Sequence, residues 1–308
     1  MPRNDWPDVI DLRHIRLVAA LTDHGTVTAA ARALSLSQSA LSHQLRELET
    51  QLRTPLYVRT ARRMIPTAAG EELAAVVSKV ARDLRHFEQK VRGGSFDEAR
   101  GEIRFVVEGH STYHWSPPVL RAFSAEFPGV DIQLRPEAAN SVMAALRSGT
   151  VDMALAQSAS ADRRIRTRLL FEDEYVAVAS AGHDYRDQAH VDLEDVAAER
   201  LLVNGAGPDS PILDEILRPA GVAAEQVTFV PLTEALLELV AADMGVAILP
   251  SWVVRPWLGN GRIVTKRLTE SGIMRRWYVA TRADDLTTPY HERFIALMGC
   301  AFSSTDAA

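Results

Sequence analysis

Two faces repeat along residues 38–52 of this 308-residue chain. Leu41, Leu45, Leu48 and Leu52 recur at intervals of 4, 3 and 4, one apolar stripe on a helix. Ser39, Ser42, His43 and Arg46 recur at 3, 1 and 3 and form an opposite stripe of hydrogen-bonding groups. A helix docked by its leucines and showing short polar side chains outward has the form that enters a DNA major groove. Ser37 stands at the N-cap, where its hydroxyl accepts from a first-turn N–H. Gln38 and Ser39 then open the helix at the positive end of its dipole, which also favours a phosphate. Upstream, Thr26 caps a short helix with Val27, Ala30, Ala31 and Leu34 on one face, its alanines permitting a close, steep crossing. Leu12, Ile15, Val18 and Leu21 give a first helix and complete a three-helix core. A plain helical bundle with a solvated face would show the same pattern.

The next segment separates the two readings. Residues 54–59 and 65–67 are short extended pieces around the basic run Arg59, Arg62 and Arg63, which reads as a β-hairpin wing. Between residues 24 and 66 stand Arg32, Arg46, Arg53, Arg59, Arg62 and Arg63 against Glu47 and Glu49, a local balance of +4 in a chain of net charge −6. Phosphate neutralisation supplies sequence-independent affinity, and arginine in a narrow minor groove adds shape readout. Basic charge is therefore concentrated where the two helices lie.

From residue 67 to 92 the period changes. Leu73, Val77, Val80, Leu84, Phe87 and Val91 step by 4, 3, 4, 3 and 4, an unbroken a/d seam on a rod of roughly 39 Å. Such a seam takes a partner helix, either from a second chain or from this chain's own remainder. Gly93 and Gly94 end it. Beyond, strands at 103–107, 130–134 and 153–156 alternate with helices at 118–127 and 141–148, a βαβαβ run. Further strands fall at 175–179, 201–203, 227–230, 245–249 and 277–281, before a last helix at 288–302.

These motifs carry a family resemblance. Residues 12–70 resemble the winged helix-turn-helix of LysR-type transcriptional regulators, through A-A-A-R-A-L-S-L-S-Q-S-A-L-S-H-Q-L-R-E-L-E, P-L-Y-V-R and T-A-A-G. The wording V-E-G-H-S-T-Y-H-W and M-G-V-A-I-L-P-S-W-V-V is similar to the methionine-biosynthesis regulators of that family, whose effector is homocysteine. Two residues depart from the pattern. Arg53 stands where Gly usually follows the recognition helix, so a left-handed C-cap there costs roughly 1 kcal/mol. His43 replaces a commoner Arg, which changes the base-level reading.

The resemblance implies an α/β architecture: a winged helix-turn-helix at 8–66, a linker helix at 67–94, and a two-lobed, periplasmic-binding-protein-like (type II) effector domain. Lobe I takes 101–173 plus 283–303 and lobe II takes 174–282, with the chain crossing near 172–174 and returning near 283. It further implies antiparallel pairing of linker helices, a tetramer through the effector domains, double-stranded promoter DNA as ligand and contact with RNA polymerase. A small sulfur amino acid, homocysteine, would close the cleft and relax a DNA bend; no cofactor is expected.

Ligands in open α/β sheets bind beyond the carboxyl ends of strands. The first strand delivers Glu108, His110, Ser111, Thr112 and Trp115 just before a helix opened by Pro117 and Pro118. Other strand ends add Glu137, Asn140, Gln157 and, from the second lobe, Asn204 and Thr233. In this reading the helix N-terminal amides with His110, Ser111 and Thr112 hold a carboxylate. Glu108 or Glu137 accepts the ammonium, and Trp115 walls the side chain. Each residue taken singly could equally be an ordinary loop residue.

Other classes find less support. His110 and His114 have a metal spacing, but Gly109 and the two prolines argue for a loop, and no metal is expected. No G-x-S-x-G elbow or phosphate-cradling glycine loop points to an enzyme. Cys300 is the one cysteine, excluding an internal disulfide, and reads as an apolar filler on the last helix. A start without a signal-peptide core and no membrane-length apolar run fit a cytoplasmic protein. The alternative is a solute-binding protein of the same two-lobed fold without regulatory DNA binding.

Overall fold

The computed structural model describes residues 9–60, 63–92, 101–110, 113–205, 207, 210–283, 285 and 288–303. It divides into two compact units. One holds the described residues up to Gly101 together with Met143–Val151; the other holds Glu102–Val142 and the described residues from Asp152 onward.

In the first unit, α1 (Leu12–His24), α2 (Val27–Ala33) and α3 (Gln38–Leu52) form the three-helix core. Their starts are set by side-chain caps. Asp11 accepts from the N–H groups of Arg13 and His14, Thr26 from that of Ala29, and Ser37 from that of Ala40. Leu41, Leu45 and Leu48 are buried with Ala30, Ala31, Leu17, Val18 and Leu21, and Leu52 packs at the edge. One expected core residue is misplaced: Leu12 is 56% exposed. Asp11 caps the helix, so Leu12 is its first residue and points outward, and the buried face runs through His14, Leu17, Val18 and Leu21. β1 (Tyr57–Arg59) and β2 (Met64–Pro66) pair antiparallel with Val58 opposite Ile65, the expected wing.

α4 (Ala68–Arg92) is the long helix. Its first half docks on the head through Ala74 and Val77, with Leu73 beside them. Further along, Leu84 is 49% exposed and Phe87 63% exposed. The side chain of Val91 lies outside those described. The seam is thus partnered within the chain at one end and open at Leu84 and Phe87.

The second unit is built on one 10-stranded sheet, ordered β4-β3-β5-β12-β6-β10-β8-β9, with β11 joining β6 and β7 off that path. Lobe I holds β3 (Gly101–Val107), β4 (Val130–Leu134) and β5 (Met153–Ala156), with α5 (Ser116–Glu126) and α10 (Pro289–Ser303). α6 (Val142–Ser148) precedes β5 in the chain. Lobe II holds β7 (His190–Val191), β8 (Arg200–Asn204), β9 (Gln226–Val230), β10 (Val246–Pro250) and β11 (Ile263–Leu268), with α7 (Leu193–Ala198), α8 (Thr233–Ala241) and α9 (Ser251–Leu258). Two long strands run through both: β6 (Ile165–Ser180) and β12 (Ile273–Arg282). β6 lies against β12 from Ile165 to Tyr175 and meets β10 and β11 over its last residues.

The second crossing falls earlier than residue 283. Tyr278, Val279, Ala280 and Thr281 already pair with β5, and Trp277 and Val279 sit in the lobe I core, whereas Ile273 packs against the lobe II core. A strand shared by two lobes changes lobe along its length. Cys300 is exposed rather than filling the core, because Phe294, Ile295, Met298 and Phe302 occupy the inner face of α10.

Candidate DNA-reading face and effector cleft

On α3 the polar stripe lies outward as its spacing requires. Gln38, Ser39, His43 and Arg46 are exposed and Ser42 is half-buried. Ser39 and Ser37 share a hydroxyl–hydroxyl bond of 3.0 Å, and Arg46 Nε donates to the Ser42 carbonyl at 3.2 Å. His43 Nδ1 stands 4.0 Å from Glu47 on the next turn. Thr26 and Ser37 are committed as caps, so their hydroxyls are occupied at the helix starts. Arg59 and Arg63 are exposed on the wing; Arg62 lies outside the described residues.

A residue without any sequence signal orients this face. Glu49 Oε1 accepts from the N–H groups of Leu56 at 2.8 Å and Tyr57 at 3.1 Å, fastening the wing to the end of α3. Between them Arg53 closes the helix with φ 52°, ψ 31°, the left-handed cap that its sequence position demands of a non-glycine residue.

In the second unit the end of β3 makes a tight polar turn. Gly109 adopts φ +71°, and a Cβ there would stand 2.7 Å from Gln157 Nε2. Gln157 donates its backbone N–H to Glu108 Oε2 at 2.7 Å and its side-chain amide to the Glu108 carbonyl at 3.2 Å. Burial pushes Glu108 upward, opposed by the Gln157 N–H and by Arg275. Tyr175 on β6 donates to Gln157 Oε1 at 3.1 Å. Burial pushes the Tyr175 hydroxyl up to about 12. His110 is 6% exposed, its ring 5.9 Å from those of both Trp252 and Trp277. Burial depresses it to about 4, so the ring is neutral, and its Nδ1 has no hydrogen-bond partner among the described residues. In lobe II, Asn204 donates to Thr233 Oγ1 at 2.7 Å, with Thr233 fully buried at the start of α8.

Other expected cleft residues are placed in the core or on the surface. Trp115 is a core residue, 5% exposed and packed edge-on against Phe105 and beside Phe302. A large apolar ring beside the sheet is drawn inward, so it packs in the lobe I core. Glu137, in the short turn Pro136–Ala138, has a side chain 62% exposed and faces Arg135 at 3.5 Å. Asn140 is exposed, although the preceding Ala139 carbonyl accepts from Gly109 at 3.1 Å. Ser111 and Thr112 lie outside the described residues. The amides assigned to a carboxylate are also missing from α5. Pro117 and Pro118 have no N–H, and Ser116 gives its own to the Tyr113 carbonyl at 2.9 Å.

The hinge strands contribute what sequence reading did not find. Asp173 accepts from Ser251 Oγ at 2.6 Å and the Trp252 N–H at 3.3 Å, capping α9 where Pro250 cannot. Arg275 pairs with Glu215 from the π-helical turn Ile212–Leu217, and its guanidinium carbon lies 6.0 Å over the Tyr175 ring. His110 follows a turn and His114 lies in one, so the two do not share a helix face. Among the described residues no group of three or more His, Cys, Asp or Glu is placed to hold a metal ion. No helix among them is long and apolar enough to cross a membrane.

Comparison with known proteins agrees with both halves. Residues 12–71 match the bacterial regulatory helix-turn-helix protein family, lysR type, and residues 96–303 match the LysR substrate binding domain. The chain is 30% identical over 288 residues to the transcriptional regulator MetR of Escherichia coli K12, covering 93% of this chain and 89% of that protein. The regulatory domain of MetR from N. meningitidis is 25% identical with a TM-score of 0.58, covering 66% of this chain and 94% of that one. Full-length LysG from Corynebacterium glutamicum, solved with bound effector Arg, is 25% identical with a TM-score of 0.63, covering 96% of this chain and 99% of that one. The family consists of transcriptional regulators, not enzymes. A basic helix-turn-helix head and a two-lobed effector-binding domain, matched in order along one chain, place it in the LysR family of DNA-binding transcriptional regulators.

Proposed function

We propose that this regulator governs methionine or sulfur amino-acid metabolism in the cytoplasm and takes homocysteine as its effector. The observation that carries this reading is the Glu108–Gln157 clasp with the buried, neutral His110 beyond it. It lies at the carboxyl ends of β3 and β5, where sheets of this kind bind small molecules. A buried donor or acceptor without a partner favours a polar ligand. Kinship with MetR supports the metabolic assignment. Asn204 and Thr233 supply polar groups from the other lobe, Asn140 follows the Ala139 carbonyl that takes the Gly109 N–H, and Ser111 and Thr112 are proposed as further contacts from their place in the sequence.

DNA is read by Gln38, Ser39, Ser42, His43 and Arg46 in the major groove, with Thr26 and Ser37 presenting helix starts to phosphates. Arg59, Arg62 and Arg63 reach the adjacent backbone or minor groove. Exposed Leu84 and Phe87 support pairing of two α4 helices, and a dimer of dimers holds four heads on bent DNA. Effector binding acts through its differential affinity for two assemblies, changing the bend and the presentation of RNA polymerase contacts.

Calorimetry of the full chain with homocysteine, methionine and O-acetylserine, beside gel shifts on its own upstream DNA, tests this. Ser42→Ala and His43→Ala lower operator affinity about 5- to 150-fold per lost base contact and leave effector binding intact. His110→Ala does the reverse. Loss of both activities in both kinds of variant would defeat the assignment, and preference for O-acetylserine would defeat the homocysteine reading alone.

A further inference from the structure

Alternation along the paired hinge strands puts Phe171, Asp173 and Tyr175 of β6 on one face with Ile273, Arg275 and Trp277 of β12. Tyr175 stands opposite Ile273, Asp173 opposite Arg275, and Phe171 opposite Trp277. On this face the Arg275 side chain is 15% exposed. Its terminal nitrogen Nη1 pairs with Glu215, while its Nε is buried without a hydrogen-bond partner among the described residues. The Tyr175 hydroxyl lies in the field of Arg275, Glu215, Asp173 and Glu108 together. One guanidinium and three carboxylates therefore converge from lobe I, the hinge and lobe II.

Such a mixture suits a ligand with both charges. The guanidinium edge formed by Nε and a terminal nitrogen matches a carboxylate through two parallel hydrogen bonds. Of that edge, Nε has no partner among the described residues, while Glu215 is held by the neighbouring Nη1, and a buried donor left unpaired is costly. Asp173 is already committed to Ser251 and Trp252, whereas Glu215 has a half-exposed side chain and sits on a π-helical turn, a rare geometry found frequently at functional sites. The alternative anion site at α5 lacks the amides of Pro117 and Pro118.

We propose that Arg275 receives the carboxylate of an α-amino-acid effector, and that Glu215 is a built-in stand-in which the effector displaces. Glu108 and the released Glu215 then accept the ammonium from opposite lobes. This rests on the reading that the effector is an amino acid held in the inter-lobe cleft.

The test is calorimetry on the full chain with homocysteine, the twenty standard amino acids, 3-aminopropane-1-thiol and 4-sulfanylbutanoate. The last two are homocysteine without its carboxylate and without its ammonium. Wild type binds both analogues about 30-fold or more weakly than the parent, as expected when one partner of a buried charge pair is removed. Arg275→Gln loses the parent to a similar extent and no longer discriminates against the aminothiol. Arg275→Lys recovers part of the affinity, and Glu215→Gln tightens binding several-fold by freeing the guanidinium. Unchanged affinity in an Arg275→Gln protein that still binds operator would overturn the proposal, as would weaker binding by a folded Glu215→Gln. If another amino acid binds and homocysteine does not, the homocysteine reading fails while Arg275 is tested on that ligand. If no amino acid binds wild type, both fail.

Discussion

Glu49, near the end of the recognition helix, holds Tyr57 at the head of the wing, its Oε1 3.1 Å from the Tyr57 nitrogen. The same oxygen takes the Leu56 N–H at 2.8 Å. From the opposite side Thr67 donates its hydroxyl to the Pro55 carbonyl at 2.8 Å, and a Cβ on Gly70 would stand 2.0 Å from the Leu56 carbonyl oxygen. The strand leading into the wing is thus clamped between α3 and the start of α4.

Removing that clamp should loosen the wing without touching the reading face. Glu49→Ala leaves two amides without their acceptor and is expected to cost about 2 kcal/mol in urea unfolding. Footprinting should show lost protection from the wing while contacts of α3 persist. Glu49→Gln keeps an acceptor oxygen and should recover most of both losses.

Arg53 is the opposite case, a position where the native residue opposes its own backbone. At φ 52° it occupies the left-handed region that glycine fills freely. Arg53→Gly should raise stability by about 1 kcal/mol, read as a higher urea midpoint at unchanged slope. Absence of any gain would show that the turn carries no strain.

Phe87 and Leu84 supply an exposed apolar seam beyond the part of α4 that the head covers. Burial of one Phe side chain contributes about 2 kcal/mol. Losing two across a symmetric pair should weaken dimerisation about a thousandfold. Phe87→Asp should therefore sediment as a monomer at concentrations where wild type is a dimer, with its helix content retained. A Phe87→Asp dimer of wild-type affinity would remove α4 from the interface.

His110 predicts an acid limb to stability. Burial lowers it from 6.5 to about 4, so the unfolded chain takes the proton first as pH falls. Its contribution is whole above pH 6.5 and is lost progressively towards pH 4, a decline of about 2 kcal/mol at pH 5. Glu108 and Asp173 run the other way, since burial raises both and their contribution fades as pH rises through the raised values. Urea midpoints at pH 7 and 5 for wild type and His110→Phe isolate the histidine. The variant should lose less stability between the two.

What could be read from the chain depended on whether a signal was local. The leucines of α3 repeat every turn because one core lies under them, and Ser37 and Thr26 mark their helices by capping chemistry alone. β6 was half visible. Residues 175–179 are continuous apolar sequence, but 166–174 carry arginines and acids because that half of the strand lies at the partly exposed hinge. α9 was hidden by Pro256 inside it and by a cap, Asp173, supplied from 78 residues away. The cleft divides along the same line. Among the candidate residues, Glu108, His110 and Gln157 follow strand ends that the sequence marks, whereas Tyr175, Glu215 and Arg275 meet only through folding. Trp115 packs in the lobe I core, and an aromatic beside polar residues has the same local pattern in a core as in a pocket.

The lobes are joined by β6 and β12, which stay paired from Ile273 against Tyr175 to Arg282 against Ile165, with one irregularity between Trp277 and Tyr278. A joint of hydrogen-bonded ribbon links the lobes through ladder bonds as well as through chain connectivity, unlike a single free strand. Under the proposed effector-driven closure, the two lobes would have to twist this ribbon while its ladder stays whole, so both crossings move together.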